Sequence, residues 1–176
     1  MLVCPKKAIT EAPRVIGEVR HGRKDGIDFS YGILNIGEAM ATPVIKKLKK
    51  SIKGGKDVLI DAPPGTSCTV IESVKGSDYC LLVTEPTPFG LKDLKLAVGM
   101  LESLSIPHGV IVNRDGIGDN KVMEYCESKG IPVHLRIPHD HRIAELYSEG
   151  VPFTLEMSEY NTSFKDVIKQ IHEVVG

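Results

Sequence analysis

The chain has 176 residues, of which 41% are hydrophobic and 26% are charged. This composition excludes a disordered chain and is typical of one globular domain with a substantial core. The formal net charge of −1 provides no overall attraction to nucleic acid or to an anionic membrane. No apolar run approaches the roughly 20 residues that cross a bilayer, and no signal-peptide core follows Met1. We therefore expect a cytoplasmic protein without a membrane span.

The cysteines indicate reduced thiols. The four residues are Cys4, Cys68, Cys80 and Cys126, and no two of them form a C-x-x-C pair. This spacing indicates neither a zinc site nor a disulfide framework. Cys4 precedes Pro5, and the pair resembles the last turn of a bacterial-type ferredoxin motif. Because one thiolate cannot hold a four-iron cluster, we expect Cys4 to be free in this chain.

A hairpin and a helix are predicted near the start of the chain. Residues 14–20 and 27–34 are rich in strand-forming residues and are separated by turn formers, which predicts an antiparallel hairpin. Thr42 as N-cap before Pro43 is typical of a helix start. Its expected buried side consists of Ile45, Leu48 and Ile52, and its other side of Lys46, Lys47, Lys49, Lys50 and Lys53. Such a basic side is more often a solvated face than a nucleic-acid platform, and no aromatic residues are interleaved for base stacking.

The run from Val58 to Asp61 is apolar and ends in a carboxylate before Pro63, Pro64 and Gly65. This pattern predicts a buried strand that delivers Asp61 to a turn, with a helix starting near Cys68. The preceding Gly-Gly-Lys at 54–56 is not a phosphate-binding loop, because such a loop follows a strand and opens a helix.

Apolar runs alternate with amphipathic helices through the rest of the chain. Strands are predicted at 79–84, 110–113 and 131–137. Helices are predicted from 68 to 74, around Leu91, Leu94, Val98 and Leu101, around Val122, Met123 and Cys126, around Ile143, Ala144 and Leu146, and from an N-cap at Ser163 to the end. This rhythm predicts an α/β fold with a mostly parallel sheet, helices on both faces and an N-terminal antiparallel hairpin.

Four motifs follow one another in this order. They are Ile60 to Cys68 (IDAPPGTSC), Ser77 to Leu94 (SDYCLLVTEPTPFGLKDL), Val110 to Arg114 (VIVNR) and Arg136 to Asp140 (RIPHD). Together they resemble the C-terminal portion of the MinD/ParA/Mrp-like P-loop ATPases, in the branch with an inserted ferredoxin domain. The resemblance implies a P-loop NTPase-like fold. It makes residues 1–10 a remnant of the ferredoxin-like insert and residues 11–176 a single MinD-like nucleotide-binding domain.

The resemblance also implies a site for ATP and magnesium. Asp61 takes the position of the aspartate that reaches magnesium through a water molecule, and a hard carboxylate suits this role. Gly65 would bring its backbone N–H against the γ-phosphate, and Pro64 would stiffen that approach. Asn113 matches the residue that reads the adenine edge, because its amide both donates and accepts. The loop beside the base corresponds to Pro138 and Asp140.

Structural roles remain open for two of these residues. Asp61 could simply cap the turn after a strand, and Asn113 could be a turn residue at a strand end. The two histidines His139 and His141 are more often surface residues than metal ligands.

The family's glycine-rich, lysine-bearing Walker A loop follows no predicted strand here. We therefore expect this chain alone to bind no cofactor and to be inactive in ATP hydrolysis. A truncated or split ATPase would pair with its N-terminal half or form a homodimer. It would hold a 4Fe-4S cluster only with upstream cysteines beside Cys4. The alternative is a non-catalytic α/β module that binds an iron-sulfur or redox partner. No specific nucleic-acid partner is indicated.

Overall fold

The computed structural model describes Pro5, Ala8 and residues 12–176. The chain divides into two compact units, Met1–Ala62 and Pro63–Gly176. Cys4 and most of the predicted ferredoxin remnant lie outside the described residues. The domain boundaries expected from the sequence therefore stay predictions. Among the helices that the structure describes, none has the length and apolar character needed to span a membrane.

The first unit contains the predicted hairpin. Strand β1 (Gly17–Lys24) pairs antiparallel with β2 (Ile27–Leu34), and the two-residue turn between them places Lys24 opposite Ile27. The hairpin prediction is confirmed, although β1 begins and ends later than residues 14–20. Because the pairing has no bulge, alternate residues of β2 lie on opposite faces of the ribbon.

Helix α1 (Thr42–Lys49) packs on one face of this hairpin through Val44. A Cβ atom added to Gly32 would lie 2.5 Å from Cγ1 of Val44, so the absence of a side chain on β2 lets the helix approach. Val44 is the buried residue of the helix, the predicted Ile45 and Leu48 are half-buried, and the predicted Ile52 lies beyond the helix and is 43% exposed. The predicted N-cap is also displaced, because Ala41 is the N-cap and Thr42 is the first helical residue.

Residues 57–61 do not form the predicted buried strand. They have no regular secondary structure, and Leu59 is 88% exposed. Val58 and Ile60 are exposed as well. The physical reason is the absence of a pairing strand among the described residues, because a strand exists only where a neighbour satisfies its N–H and C=O groups.

The second unit is a layered α/β fold. It begins with α2 (Cys68–Val74), β3 (Cys80–Thr84), α3 (Pro88–Ser103) and β4 (His108–Asp115), and continues with α4 (Lys121–Lys129), β5 (Val133–Pro138), α5 (His141–Ser148), α6 (Phe153–Glu156) and α7 (Ser158–Val175). The sheet order is β3-β4-β5, and both pairings are parallel. The predicted fold class is confirmed.

Helices cover both faces of this sheet. On one face Val110 and Val112 of β4 pack into a core formed with α3 and α4. On the other face Ile111 packs with Ile137 and Tyr160, the last of which belongs to α7. Helix α7 begins at Ser158, so the predicted N-cap Ser163 is wrong. The Ser163 hydroxyl instead donates to the backbone oxygen of Glu159, one turn earlier in the helix.

The close approach of α1 to the hairpin generates a prediction. Gly32→Ala should destabilise the first unit by about 1–3 kcal/mol, because the new methyl group overlaps Val44. Hydrogen exchange of the β1 and β2 backbone amides measures this effect as faster exchange. Gly22→Ala on β1 is the matched control, since nothing lies within 4 Å of its added Cβ. Equal exchange rates in the two variants would contradict the packing described.

Candidate functional site

The carboxyl ends of the three parallel strands meet at one edge of the second unit. Strand β3 ends at Thr84, β4 at Asp115 and β5 at Pro138. Asp115 pairs with Pro138, so the predicted base-reading Asn113 and the predicted base loop belong to neighbouring strand ends. Ligands of open α/β sheets bind at such an edge, because helix N-termini and loops converge there. We call this region the carboxyl edge.

Ion pairs connect the strand ends at the carboxyl edge. Nη2 of Arg136 on β5 lies 3.0 Å from Oδ1 and 2.8 Å from Oδ2 of Asp115 on β4. The backbone oxygen of Asp115 also accepts the backbone N–H of His139 at 2.9 Å. On the other side, Nη1 of Arg114 lies 3.6 Å from Oε1 of Glu85, which follows β3. These contacts hold the loops that follow β4 and β5 against each other.

The charge at Asp115 also acts on its partner. The hydrogen bond with Asp115, followed by the attraction of its negative charge, raises the pKa of the Arg136 guanidinium. Both side chains are partly exposed, so the pair orients the loops more than it stabilises the fold. Sequence reasoning missed Glu85, Asp115 and Arg136. The available signal was the presence of opposite charges at the ends of consecutive predicted strands.

Asn113 is half-buried near the end of β4. Among the described residues, its side-chain amide has no hydrogen-bond partner, so both its donor and its acceptor remain available to a ligand. The next residue, Arg114, has a φ of 52°, in the left-handed region. The backbone therefore turns sharply just after Asn113, as residues at functional strand ends frequently do.

Asp140 has a structural role at the start of α5. Its Oδ1 accepts the backbone N–H of Arg142 at 2.7 Å, and it is the N-cap of the helix. This bond fixes the loop that begins at Pro138. The loops after β3 and β4 are also close, because a Cβ atom on Gly118 would overlap the backbone oxygen of Pro86.

The remaining predicted site residues lie before α2. Asp61 is exposed and belongs to the first unit, whereas Pro64 and Gly65 are exposed and belong to the second. Gly65 has a φ of 94°, which a residue with a side chain rarely adopts. As a single exposed carboxylate, Asp61 has the oxygen donor that magnesium prefers, and it would hold the ion through water.

Two clefts of the described part of the chain lie away from the carboxyl edge. One, of about 480 Å³, is lined by Phe164 and Ile168 of α7 and by Thr154 of α6. The other, of about 390 Å³, includes Tyr79 and His108 at the opposite edge of the sheet.

The described residues form no cluster of three or more His, Cys, Asp or Glu that could hold a metal ion. Cys68 is exposed, Cys80 half-buried and Cys126 buried, and all three thiols are free. Burial raises the pKa of the Cys80 and Cys126 thiols.

Comparisons with known proteins find relatives of two kinds. The chain is 33% identical over 147 residues to an uncharacterised protein of Methanocaldococcus jannaschii, covering 82% of this chain and 51% of that protein. It is 31% identical over 134 residues to the iron-sulfur cluster carrier protein of the same organism, covering 67% of this chain and 46% of that protein. No protein-family model matches the chain.

A solved structure has the same fold. The cell division ATPase MinD of Pyrococcus furiosus superimposes with a TM-score of 0.61 at 25% identity, covering 76% of this chain and 59% of that chain. The chain is thus related to MinD-like ATPases and iron-sulfur carriers. It spans about half the length of the curated relatives it matches.

The buried thiol of Cys126 generates a pH prediction. In the unfolded chain a cysteine thiol ionises at about pH 8.5. In the folded chain the Cys126 thiol keeps its proton to higher pH, because burial raises its pKa. Between these values the folded state binds more protons than the unfolded state, so stability falls as pH rises. Between about pH 8 and pH 10, the free energy of unfolding measured with urea should fall less steeply with pH for Cys126→Ala than for the unmodified chain.

The exposed Cys68 provides the control for this experiment. Cys68→Ala is the matched variant, because it also removes one thiol but from an exposed position. If the free energy of unfolding fell equally steeply with pH for Cys126→Ala and for the unmodified chain, a contribution from the buried thiol would be contradicted.

Proposed function

We propose that this chain is the C-terminal part of a MinD-like ATPase, and that it supplies the base-reading and magnesium-facing residues. The observation that carries the proposal is that Asn113 lies near the end of β4, whose neighbour β5 ends at Pro138, at the carboxyl edge of a parallel sheet. The free amide of Asn113 suits an adenine edge, which offers both a donor and an acceptor. The relationship to MinD and to iron-sulfur carriers supports ATP as the ligand.

Two exposed stretches would act on the phosphates. In this proposal Asp61 holds magnesium through a water molecule, and Pro64 and Gly65 sense the γ-phosphate. A carboxylate and a glycine N–H are suited to these tasks, because magnesium keeps part of its water shell and a residue without Cβ permits close approach. Bound magnesium would neutralise the charge that develops on the transferred phosphoryl group. A cytoplasmic location accords with the reduced thiols.

The phosphate-binding loop would come from elsewhere. We place it on the N-terminal part of the same protein, whereas a second copy of this chain would supply only a pairing strand. The apolar run formed by Val58, Leu59 and Ile60 supports this arrangement, because it is exposed and unpaired within the described residues. A partner strand would satisfy its backbone groups. Full burial of each side chain would contribute about 1.5–3 kcal/mol to association.

Iron-sulfur delivery is the second candidate function. It is favoured by the relative named as an iron-sulfur cluster carrier and by the ferredoxin-like Cys4-Pro5 pair. In this case the cluster is cargo, and the α/β unit serves to bind a redox or iron-sulfur partner. Nucleotide titration with and without magnesium separates the two functions, since only the ATPase requires magnesium-dependent nucleotide binding.

The test of the ATPase proposal mixes this chain with the polypeptide encoded upstream of it. The chain alone should hydrolyse no ATP, and the mixture should hydrolyse ATP in the presence of magnesium. Asp61→Asn should lower the turnover of the mixture by at least about a hundredfold, because the magnesium ion loses its carboxylate. Steady-state phosphate release measures these rates.

Asp57→Asn is the matched control, because Asp57 begins the same run and is exposed. When the Asp57→Asn chain is mixed with the upstream polypeptide, the turnover should stay within about threefold of that of the unmodified mixture. Tight binding and turnover of ATP by the chain alone would overturn the assignment of the phosphate loop. Full activity of Asp61→Asn would overturn the role given to that carboxylate.

A further inference from the structure

One face of the hairpin in the first unit is covered and the other is open. The covered face contains Gly17 and Gly32 and receives Val44 of α1. The open face carries four large side chains from alternate positions of β2. They are Ile27 at 70% exposure, Phe29 at 60%, Tyr31 at 39% and Ile33 at 36%. We call these four residues the apolar row.

The apolar row is continuous. The rings of Phe29 and Tyr31 are in contact, with centroids 5.6 Å apart. Residues two apart on a strand are separated by about 6.8 Å, so the row is about 20 Å long, the length of nearly four helical turns. Soluble proteins seldom leave an apolar strip of this length uncovered unless it binds a partner.

The strand beside the row supplies positive charge. Arg20 and Lys24 lie opposite Tyr31 and Ile27, respectively, so their side chains share the open face. Between them Gly22 lies opposite Phe29, with open space at the position of its missing Cβ. The open face therefore has an apolar row on β2 and, on β1, two cations separated by a notch.

The acid on this face does not balance the cations. Glu18 lies opposite Ile33 and pairs with Arg20, which leaves the charge of Lys24 uncompensated on this face. The described part of the first unit is also basic, since residues 12–62 contain ten Lys and Arg but six Asp and Glu. Like charge disfavours the stacking of two such hairpins, and it favours an acidic partner.

We propose that the open face of the hairpin is a docking surface for an acidic amphipathic helix of another protein. The apolar stripe of that helix lies along Ile27, Phe29, Tyr31 and Ile33, with an apolar side chain entering the notch at Gly22. Carboxylates along one side of the helix meet Lys24 and Arg20. A helix that binds in this way presents apolar residues at i, i+3, i+4 and i+7, and this pattern must continue over about 14 residues to span the row. The docking surface belongs to the first unit, whereas the carboxyl edge belongs to the second.

The test uses the full chain and two labelled 16-residue helical peptides with the same leucine stripe. One peptide has glutamate on its flanks and the other has lysine. Fluorescence anisotropy should show that the glutamate peptide binds at least about tenfold more tightly, and that added salt weakens it. Phe29→Ser should lower this affinity about tenfold or more, because it removes the central anchor. Lys24→Glu should lower it as well.

Ile27→Ser is a second variant, whose exposed position leaves the fold intact. Tyr147→Ser on α5 is the matched control, because Tyr147 is 85% exposed and lies in the other unit. It should leave the affinity unchanged. Equal affinity for both peptides, or full affinity of Phe29→Ser and Ile27→Ser, would overturn the proposal. So would sedimentation that shows a dimer of the chain which Phe29→Ser converts to a monomer, since a second copy would then cover the row.

Discussion

Burial of strand β4 on all sides is the constraint on which the second unit depends. Its backbone groups pair with β3 on one edge and with β5 on the other. Val110 and Val112 are 0% exposed on one face, and Ile111 is 3% exposed on the other. A strand in this position must be apolar at consecutive residues, because both of its faces meet helices. Within three residues the chain then changes to Asn113, Arg114 and Asp115, so the end of β4 is where polar chemistry begins.

At the carboxyl edge, ion pairs connect the ends of neighbouring strands. The pair of Asp115 with Arg136 spans β4 and β5, and the pair of Arg114 with Glu85 spans β3 and β4. Such exposed pairs contribute little to stability and weaken as salt is added. These ion pairs mainly orient the loops, because each pair sets the direction in which a loop leaves its strand. The proposed base loop would depend on them even though they need not touch a ligand.

The sequence allowed the second unit to be predicted well because its elements are determined locally. Parallel strands that are buried on both faces appear as short apolar runs, and helices such as α3 show their apolar side at helical spacing. The start of α7 was placed too late, because Ser163 resembles an N-cap but bonds back within a helix that begins at Ser158. The ion pairs depend on which strands are neighbours, which spacing alone does not specify.

The first unit was harder to predict, because its structure depends on partners. The run from Val58 to Ile60 has the apolar character of a strand, yet strand pairing requires a neighbour that the described residues do not provide. Likewise, Val44 is the buried contact of α1 because Gly17 and Gly32 make room for it, and helical spacing gives no sign of this. The roles of Asp61, Pro64, Gly65, Asn113, Pro138 and Asp140 stay predictions, because chemistry at a site is not encoded by fold alone.

The consecutive strand order allows the sheet to form while the chain is being synthesised. Because β3, β4 and β5 are neighbours in both sequence and space, each parallel pairing closes a segment of only about 25 residues. Closing a short segment loses less conformational entropy than closing a long one, so each strand can pair with the preceding strand as it leaves the ribosome. The sheet can thus grow in the direction of synthesis, with β3 as its template and α7 closing over it last.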